Sequence, residues 1–435
     1  MNSRHERLQP AEQLDQEQLG RFYRRHLEES VLPFWLGEPS DRQHGGVFTC
    51  IDNVSGRIMS TDKFVWSQGR FAWLMAHAAR LARSGTISGD ADDLAARAVE
   101  TVEFLRANAF LENGSAAYLL TADGSKKEFM PGKGHDLSYF ADCFITLGLS
   151  ETARATENWT YLDEAVALYE NTVRRLGAGT ARSEPYPLPS GCRAHAEPMI
   201  LLNVTQELEL ALLQRGDDRA ADMGREALRH LDDIFATFAA TDGLIREVVC
   251  ETGGGSVLTD HLTPGHAIES MWFVLEQAIR HDRTDVVDRA ATVIRRSFEL
   301  GWDRDSGGLF RYVGPDGSRP QGEPGGAFEQ LILNTWDTKI WWPHSEALYS
   351  ALLAFMLTGD EKLRRIHDQV FDYSFSTFPH PDPAVGEWIQ IRDRRGEPLD
   401  QVVGLPVKDP YHLMRNLMVL VELLQGGTAA RGSGA

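Results

Sequence analysis

The chain has 435 residues, 63 of them acidic against 44 basic, for a formal net charge of −19. That balance excludes the Lys and Arg stripe with which proteins bind nucleic acid or an anionic membrane surface, and no stretch approaches the roughly 20 consecutive apolar residues that cross a bilayer. With 42% hydrophobic and 25% charged residues, the composition is that of a soluble globular protein with room for a large core.

The first residues, rich in Glu, Gln and Arg, lack the apolar region of a signal peptide, so a cytoplasmic location is expected. The first strong helical pattern follows the string Lys63-Phe64-Val65-Trp66-Ser67-Gln68-Gly69-Arg70, where Phe71, Leu74, Met75 and Ala78 recur at i, i+3, i+4 and i+7. Arg70 then sits either beside Trp66 at a site or in a salt bridge with a carboxylate such as Asp62. Further helical segments cover 91–108, 162–175, 218–238, 266–281, 285–299, 344–358, 361–377 and 411–425, which predicts about a dozen helices. Cys50, Cys143, Cys192 and Cys250 form no CxxC pair and are expected to be reduced, partly buried residues.

Between the helices recurs a turn signal: His44-Gly45-Gly46-Val47-Phe48, Asp242-Gly243-Leu244-Ile245, Ser306-Gly307-Gly308-Leu309-Phe310 and Val385-Gly386-Glu387-Trp388-Ile389. Glycine supplies the positive φ of a tight turn, and the β-favouring residues after it start a short hairpin. The signals are spaced by about 65 to 80 residues or a multiple of that, so the chain divides into roughly six units of two helices and a hairpin-bearing loop. Closed on itself, such an array is an all-α (α/α)6 barrel with short β-hairpins in the loops at one mouth; left open, it is a solenoid. The closed form is one domain over 1–425 with a flexible tail at 426–435. Its inner helices and long loops converge on one mouth, where a concave site would lie.

Three strings bring proton-handling groups to helix starts. In Thr263-Pro264-Gly265-His266-Ala267-Ile268-Glu269, Pro264 suits the first helical turn and Thr263 can cap it. His266 falls in that turn, where the positive end of the helix dipole should lower its pKa, and Glu269 lies one turn on, within reach of the ring. Pro410-Tyr411-His412-Leu413-Met414-Arg415 repeats the arrangement with a guanidinium in place of the carboxylate. Trp341-Trp342-Pro343-His344-Ser345-Glu346 adds a histidine and a carboxylate beside flat apolar surface, with one indole expected inward and the other packed. The chain has no GxGxxG, Walker loop, GxSxG or HExxH. Gly253-Gly254-Gly255-Ser256 reads as a mobile loop at the cavity edge rather than a phosphate cradle.

Together these strings resemble the N-acylglucosamine 2-epimerase family, which is related to cellobiose 2-epimerases and mannose isomerases. The matching text is His44–Cys50, Trp66–Arg70, Glu197–Asn203, Pro264–Glu269, Trp341–Ala347 and Gly386–Trp388, in family order over about residues 30 to 425. The resemblance implies the closed (α/α)6 barrel and a site without a metal ion or required cofactor, in which His266 and His412 act on the carbon next to a sugar carbonyl. Arg70, Glu269, Glu346, Arg415, Trp66, Trp342, Asn203 and His344 form the supporting set. It also implies a small sugar as the binding partner and a homodimer, and some members respond to ATP. The string Asp409–Arg415 is closer to the disaccharide epimerases, whereas Asn203 favours the acylamino-sugar branch.

The expected reaction is therefore 2-epimerisation of N-acyl-D-glucosamine and N-acyl-D-mannosamine through an enediolate. Aldose–ketose isomerisation, or epimerisation of mannose, glucose or a disaccharide, is the alternative. A glycoside hydrolase using Asp303 and Glu346, or a non-catalytic binding protein, is a further one. Selectivity is expected from loops at 112–135 and 250–262.

Overall fold

The computed structural model describes residues 8–251, 253–382, 384–399 and 408–426, so the expected tail beyond 426 lies outside the described residues. Fifteen α-helices follow one another among these residues. They begin with α1 (Gln16–His26), α2 (Leu32–Leu36), α3 (Val65–Arg83), α4 (Ala91–Asn108), α5 (Tyr139–Thr156) and α6 (Trp159–Gly177). Next come α7 (Ala196–Arg215), α8 (Ala220–Asp233), α9 (Val257–Asp260), α10 (Pro264–Arg280) and α11 (Val287–Gly301). The last are α12 (Ala327–Thr335), α13 (Trp341–Thr358), α14 (Glu361–Thr377) and α15 (Tyr411–Leu424).

Helices α3, α5, α7, α10, α13 and α15 touch one another in that order, and α15 packs back on α3, which closes a ring of six. Around it, α4, α6, α8, α11, α14 and α1 each pack on an inner helix. This is the (α/α)6 barrel expected from the sequence.

Position in the two rings explains the residue patterns. An outer helix buries one stripe: α8 buries Ala220, Gly224, Ala227 and Leu231 and leaves the rest to solvent. An inner helix is enclosed by both rings: in α3 only Trp66, Arg80, Ala82 and Arg83 escape full burial. Asp15, Asp90, Asn158 and Asp360 cap the outer helices α1, α4, α6 and α14 through their side chains. The N-cap residue of each inner helix supplies no such bond. Their amide ends and positive dipole poles therefore converge, largely uncapped, on one mouth of the barrel.

Short antiparallel ladders tie neighbouring inner helices together at that mouth. Strand β1 (Lys63–Phe64) pairs with β2 (Leu119–Leu120), β3 (Cys192–Ala194) with β4 (Val248–Cys250), and β5 (Lys339–Ile340) with β6 (Ile391–Arg392). The glycine signals form tight hairpins closed by Ser40 and Val47, Ala239 and Ile245, Trp302 and Leu309, and Pro379 and Trp388. A further hairpin, closed by Phe110 and Ala116, turns at Gly114 and was not among the recurring signals.

Two of these hairpins are built alike. Lys63 Nζ, buried, reaches Asp41 Oδ2 at 2.6 Å and the Gly45 carbonyl at 2.8 Å. Lys339 Nζ, equally buried, reaches Asp303 Oδ2 and the Gly308 carbonyl, both at 3.1 Å. The glycines following each aspartate have positive φ: 84° and 88° at Gly45 and Gly46, 75° and 76° at Gly307 and Gly308. Gln68 then accepts the Val47 amide, as His344 accepts the Leu309 amide. One half of the barrel repeats the other in these contacts.

The cysteine expectation is corrected in part. Cys50 and Cys143 are free and buried, but Cys192 and Cys250 form a disulfide. They are opposite each other in the β3–β4 register, a proximity that a separation of 58 positions in sequence conceals.

Replacing Lys339 by alanine leaves Asp303 with Arg394 as its remaining ionic partner and should cost about 1.5–3 kcal/mol in denaturant unfolding, as for losing a hydrogen bond to a charged group. Alkylation of the denatured protein should label two cysteines without reductant and all four after reduction; four labels without reductant would refute the disulfide.

Candidate active site

A cavity of about 720 Å³ opens where the six inner helices begin, and each contributes to its wall: Arg70 from α3, Phe144 from α5, Asn203 from α7, His266 from α10, Trp342 from α13 and His412 from α15. Two histidines from distant parts of the chain thus share one hollow. The Trp342 indole lies beside both, its ring centre 5.1 Å from that of His266 and 5.5 Å from that of His412. The two imidazoles are therefore no further apart than those two distances combined.

Each ring is held from behind by a buried carboxylate. His266 Nδ1 lies 2.8 Å from Glu247 Oε1, and His412 Nδ1 lies 2.7 Å from Glu346 Oε1. A carboxylate at these distances only accepts, so Nδ1 is the donor in both rings and Nε2 is the atom left for the cavity. Burial alone would lower the pKa of His266, but the Glu247 charge and hydrogen bond outweigh it and raise the value above 6.5. The sequence-based expectation of a lowered value is overturned because a full carboxylate charge at 2.8 Å exceeds the partial charge of a helix end. Burial would raise Glu247, yet the neighbouring His266 charge holds it at about 2.

The partner expected for His266 is corrected too. Glu269 pairs with Arg415 Nη2 at 2.9 Å, and Glu247, just before β4, takes the ring instead. Thr263 makes no side-chain cap, although Pro264 occupies the first turn as expected. Arg415 also contacts Glu346 Oε1 at 2.6 Å, and Trp272 Nε1 donates to Glu346 Oε2 at 2.8 Å. Arg70 bonds Asp409 at 2.5 Å rather than Asp62, and its guanidinium lies over Phe144, Trp66 and Tyr411, at 3.9, 4.7 and 5.1 Å.

Most of the expected set therefore gathers at the cavity: His266, His412, Arg70, Glu269, Arg415, Trp66, Trp342 and Asn203 all border it. Glu346 stands directly behind His412 and Arg415, fully buried. His344 does not reach the cavity. Its Nδ1 donates to the Ile340 carbonyl at 2.7 Å while Nε2 accepts the Leu309 amide at 2.8 Å, and burial drives its pKa down to about 3. It is a neutral fastener of the hairpin. Trp341 borders the cavity as well as Trp342, against the expectation of one inward indole.

The hydrolase pair is not assembled either: Asp303 is absent from the cavity wall and is bound to Lys339 and Arg394. Of the loops expected to set selectivity, 112–135 contributes Tyr118 and 250–262 contributes nothing to the wall; residues 181–188 and Arg311, Tyr312, Phe328 and Leu331 form it instead. Gly253–Gly255 stands away from the wall, and Ser256 caps α9.

Glu269, Glu346 and His412 also present ligand atoms within 4.8 Å of one another, a spacing that would suit a cation. Arg415 already occupies that role, since its Nη2 bonds both carboxylates. Buried polar atoms of wall residues that lack a hydrogen-bond partner, Trp66 Nε1, Arg70 Nε, Asn203 Oδ1, Thr263 Oγ1, Trp341 Nε1 and Arg415 Nε, suit the hydroxyl groups of a carbohydrate. Two carboxylate-backed imidazoles facing one hollow suit proton transfer to and from a single carbon.

This is the architecture of a sugar isomerase. The family model for N-acylglucosamine 2-epimerase (GlcNAc 2-epimerase) matches residues 46–416. The bovine (Bos taurus) N-acylglucosamine 2-epimerase is 32% identical over 91% of this chain and 88% of its own length. The human (Homo sapiens) protein of that name is likewise 32% identical, over 91% of this chain and 87% of its own. The solved cellobiose 2-epimerase of Bacillus thermoamylovorans superposes with a TM-score of 0.73 at 18% identity, covering 94% of this chain and all 100% of that one. The chain belongs to the N-acylglucosamine 2-epimerase family, a family of sugar 2-epimerases.

Replacing Glu247 by glutamine should lower the His266 pKa, read by NMR, because burial is then opposed only by the weaker attraction of Glu269. The pair's contribution to stability should be complete between about pH 4.5 and 6.5. It should be lost as pH rises through the raised His266 value and, on the acid side, as pH falls through about 2. A His266 titration unmoved by the substitution would contradict this account.

Proposed function

We propose that the protein interconverts N-acyl-D-glucosamine and N-acyl-D-mannosamine by removing and returning the proton on C2. The observation that carries this reading is the pair of imidazoles, each with Nδ1 on a buried carboxylate and both against one indole in one cavity. In the open-chain sugar the C1 carbonyl acidifies the C2 proton. One Nε2 takes that proton, the C–H electron pair moves into the C1–C2 bond, and charge builds on O1 as in an enediolate. The uncapped helix ends direct amide donors toward that region, and the guanidinium groups of Arg70 and Arg415 stand at its wall as further hydrogen-bond donors. The second imidazole delivers a proton to C2 from the other face, which inverts the centre.

A base on each side of the carbon favours epimerisation over aldose–ketose isomerisation, which one base on one side accomplishes. The acylamino substrate follows from the curated relatives, whose names specify it. Arg415 supplies the positive charge at the carboxylate cluster, so the proposed chemistry uses no metal ion.

Incubation with N-acetylmannosamine in D₂O should give N-acetylglucosamine carrying deuterium at C2. Deuterium at C1 of a ketose would identify an isomerase, and product without deuterium would exclude exchange-competent proton transfer. His266→Ala and His412→Ala should each lose at least about a hundredfold in turnover while keeping the circular dichroism of the parent. Either variant at near-parental activity would remove that residue from the mechanism.

A further inference from the structure

Four arginines of the cavity wall are neutralised by carboxylates: Arg70 by Asp409, Arg182 by Glu184, Arg193 by Asp233, and Arg415 by Glu269 and Glu346. Arg311 is the exception. Among the described residues it has no ion-pair partner, and Nη1 makes a single side-chain hydrogen bond, to Thr335 Oγ1 at 3.1 Å. Its position follows from the backbone: Leu262 and Val313 exchange amide hydrogen bonds of 2.8 and 3.0 Å in an antiparallel bridge. That bridge runs the segment of Arg311 and Tyr312 alongside the approach to α10, the helix that presents His266, and both Arg311 and His266 line the cavity. Three aromatic rings complete this part of the wall. Tyr186 lies 5.4 Å from Phe328, and Phe328 lies 6.4 Å from Tyr312.

A half-buried guanidinium with spare donors, set against apolar rings, matches a group with an acceptor oxygen at one end and a small alkyl group at the other. We propose that Arg311, Tyr186, Tyr312 and Phe328 form the subsite for the substrate's 2-acyl group, the guanidinium donating to the acyl carbonyl oxygen and the rings covering the alkyl end. This rests on the epimerase reading through one geometric link. An imidazole that removes the C2 proton lies within hydrogen-bond reach of C2, and the acyl oxygen is only three bonds from that carbon. The wall beside His266 is thus the wall beside the acyl group.

The test combines turnover with binding of 2-acetamido-2-deoxyglucitol, an alditol that keeps the acetamido group but has no carbonyl at C1 and cannot react. Arg311→Ala should raise KM for N-acetylmannosamine about ten- to a hundredfold, as expected for losing a charged hydrogen bond made in ground and transition states alike, with kcat changed far less. The dissociation constant of the alditol, by calorimetry, should rise by a similar factor, and Arg311→Lys should recover part of the loss. Thr335→Val, which removes the protein-side bond only, should leave KM as it was. An unchanged KM in Arg311→Ala, a fall in kcat alone, or the same KM change in Thr335→Val would overturn the assignment. Alditol binding that depends on Arg311 in a parent protein without epimerase turnover would keep the subsite and overturn the proposed reaction.

Discussion

The geometry of the site depends on one buried carboxylate. Glu346 accepts from His412 Nδ1, Arg415 Nη2 and Trp272 Nε1, so groups from α10 and α15 meet on a residue of α13. Removing such a group from water is costly, and burial by itself would push the carboxyl upward. The adjoining Arg415 charge prevails and keeps it ionised, at about 2. A buried pair of this kind adds little net stability over an apolar replacement. What it adds is position: with donors from two helices fixed on one carboxylate, the orientation of His412 and the rotation of α15 about its axis are set together.

The opposite side of α15 is gripped by the reverse arrangement of charge. In the repeated halves of the barrel, the lysine of a short strand is followed three residues later by a cavity tryptophan, Trp66 on α3 and Trp342 on α13, and four residues after that by a charged group. On α3 that group is Arg70, bound to Asp409 at the foot of α15. On α13 it is Glu346, bound to His412 and Arg415. The last helix to join the ring is thus held by an arginine from one neighbour and a glutamate from the other. Since α15 closes the ring onto α3, the contacts that shape the site are also contacts that shut the barrel.

This division explains what the sequence discloses. The outer helices α4 and α14 were legible at their full extent because solvent on one side imposes a period, while the outer helix α1 was not among the predicted segments. Helix α5 escaped because it has almost no solvent face: from Tyr139 to Ala155 nearly every residue is buried, so no polar stripe marks it. Site residues within strings at helix starts, such as His266, His412 and Arg415, were likewise visible. Glu247 was not. It lies 19 residues before the imidazole it supports, in a segment with no motif, and only the β3–β4 ladder brings it there. The Cys192–Cys250 pair was hidden for the same reason, since a cross-strand register is a tertiary fact. His344 failed the other way: its neighbours resembled a site, but hydrogen bonds consume both ring nitrogens.

The buried histidines supply their own comparison for the proposed chemistry. Burial drives His344 to about 3, where its contacts are a carbonyl and an amide. It drives His195 to about 4, although Glu247 stands 4.0 Å away without a hydrogen bond. An imidazole in either position stays neutral across the working range and takes up no second proton. At His266 burial acts in the same direction, yet direct contact with Glu247 reverses the outcome and raises the value. A residue that must hold a proton in one half-reaction and lack it in the other needs both states within reach near neutrality. In so buried a ring, the hydrogen-bonded carboxylate is what makes the charged state accessible. His412 has a partner of the same kind in Glu346, so both cavity imidazoles carry a contact that His344 and His195 lack; His77 and His367 also bond carboxylates, and what sets His266 and His412 apart from those two is that they share one cavity.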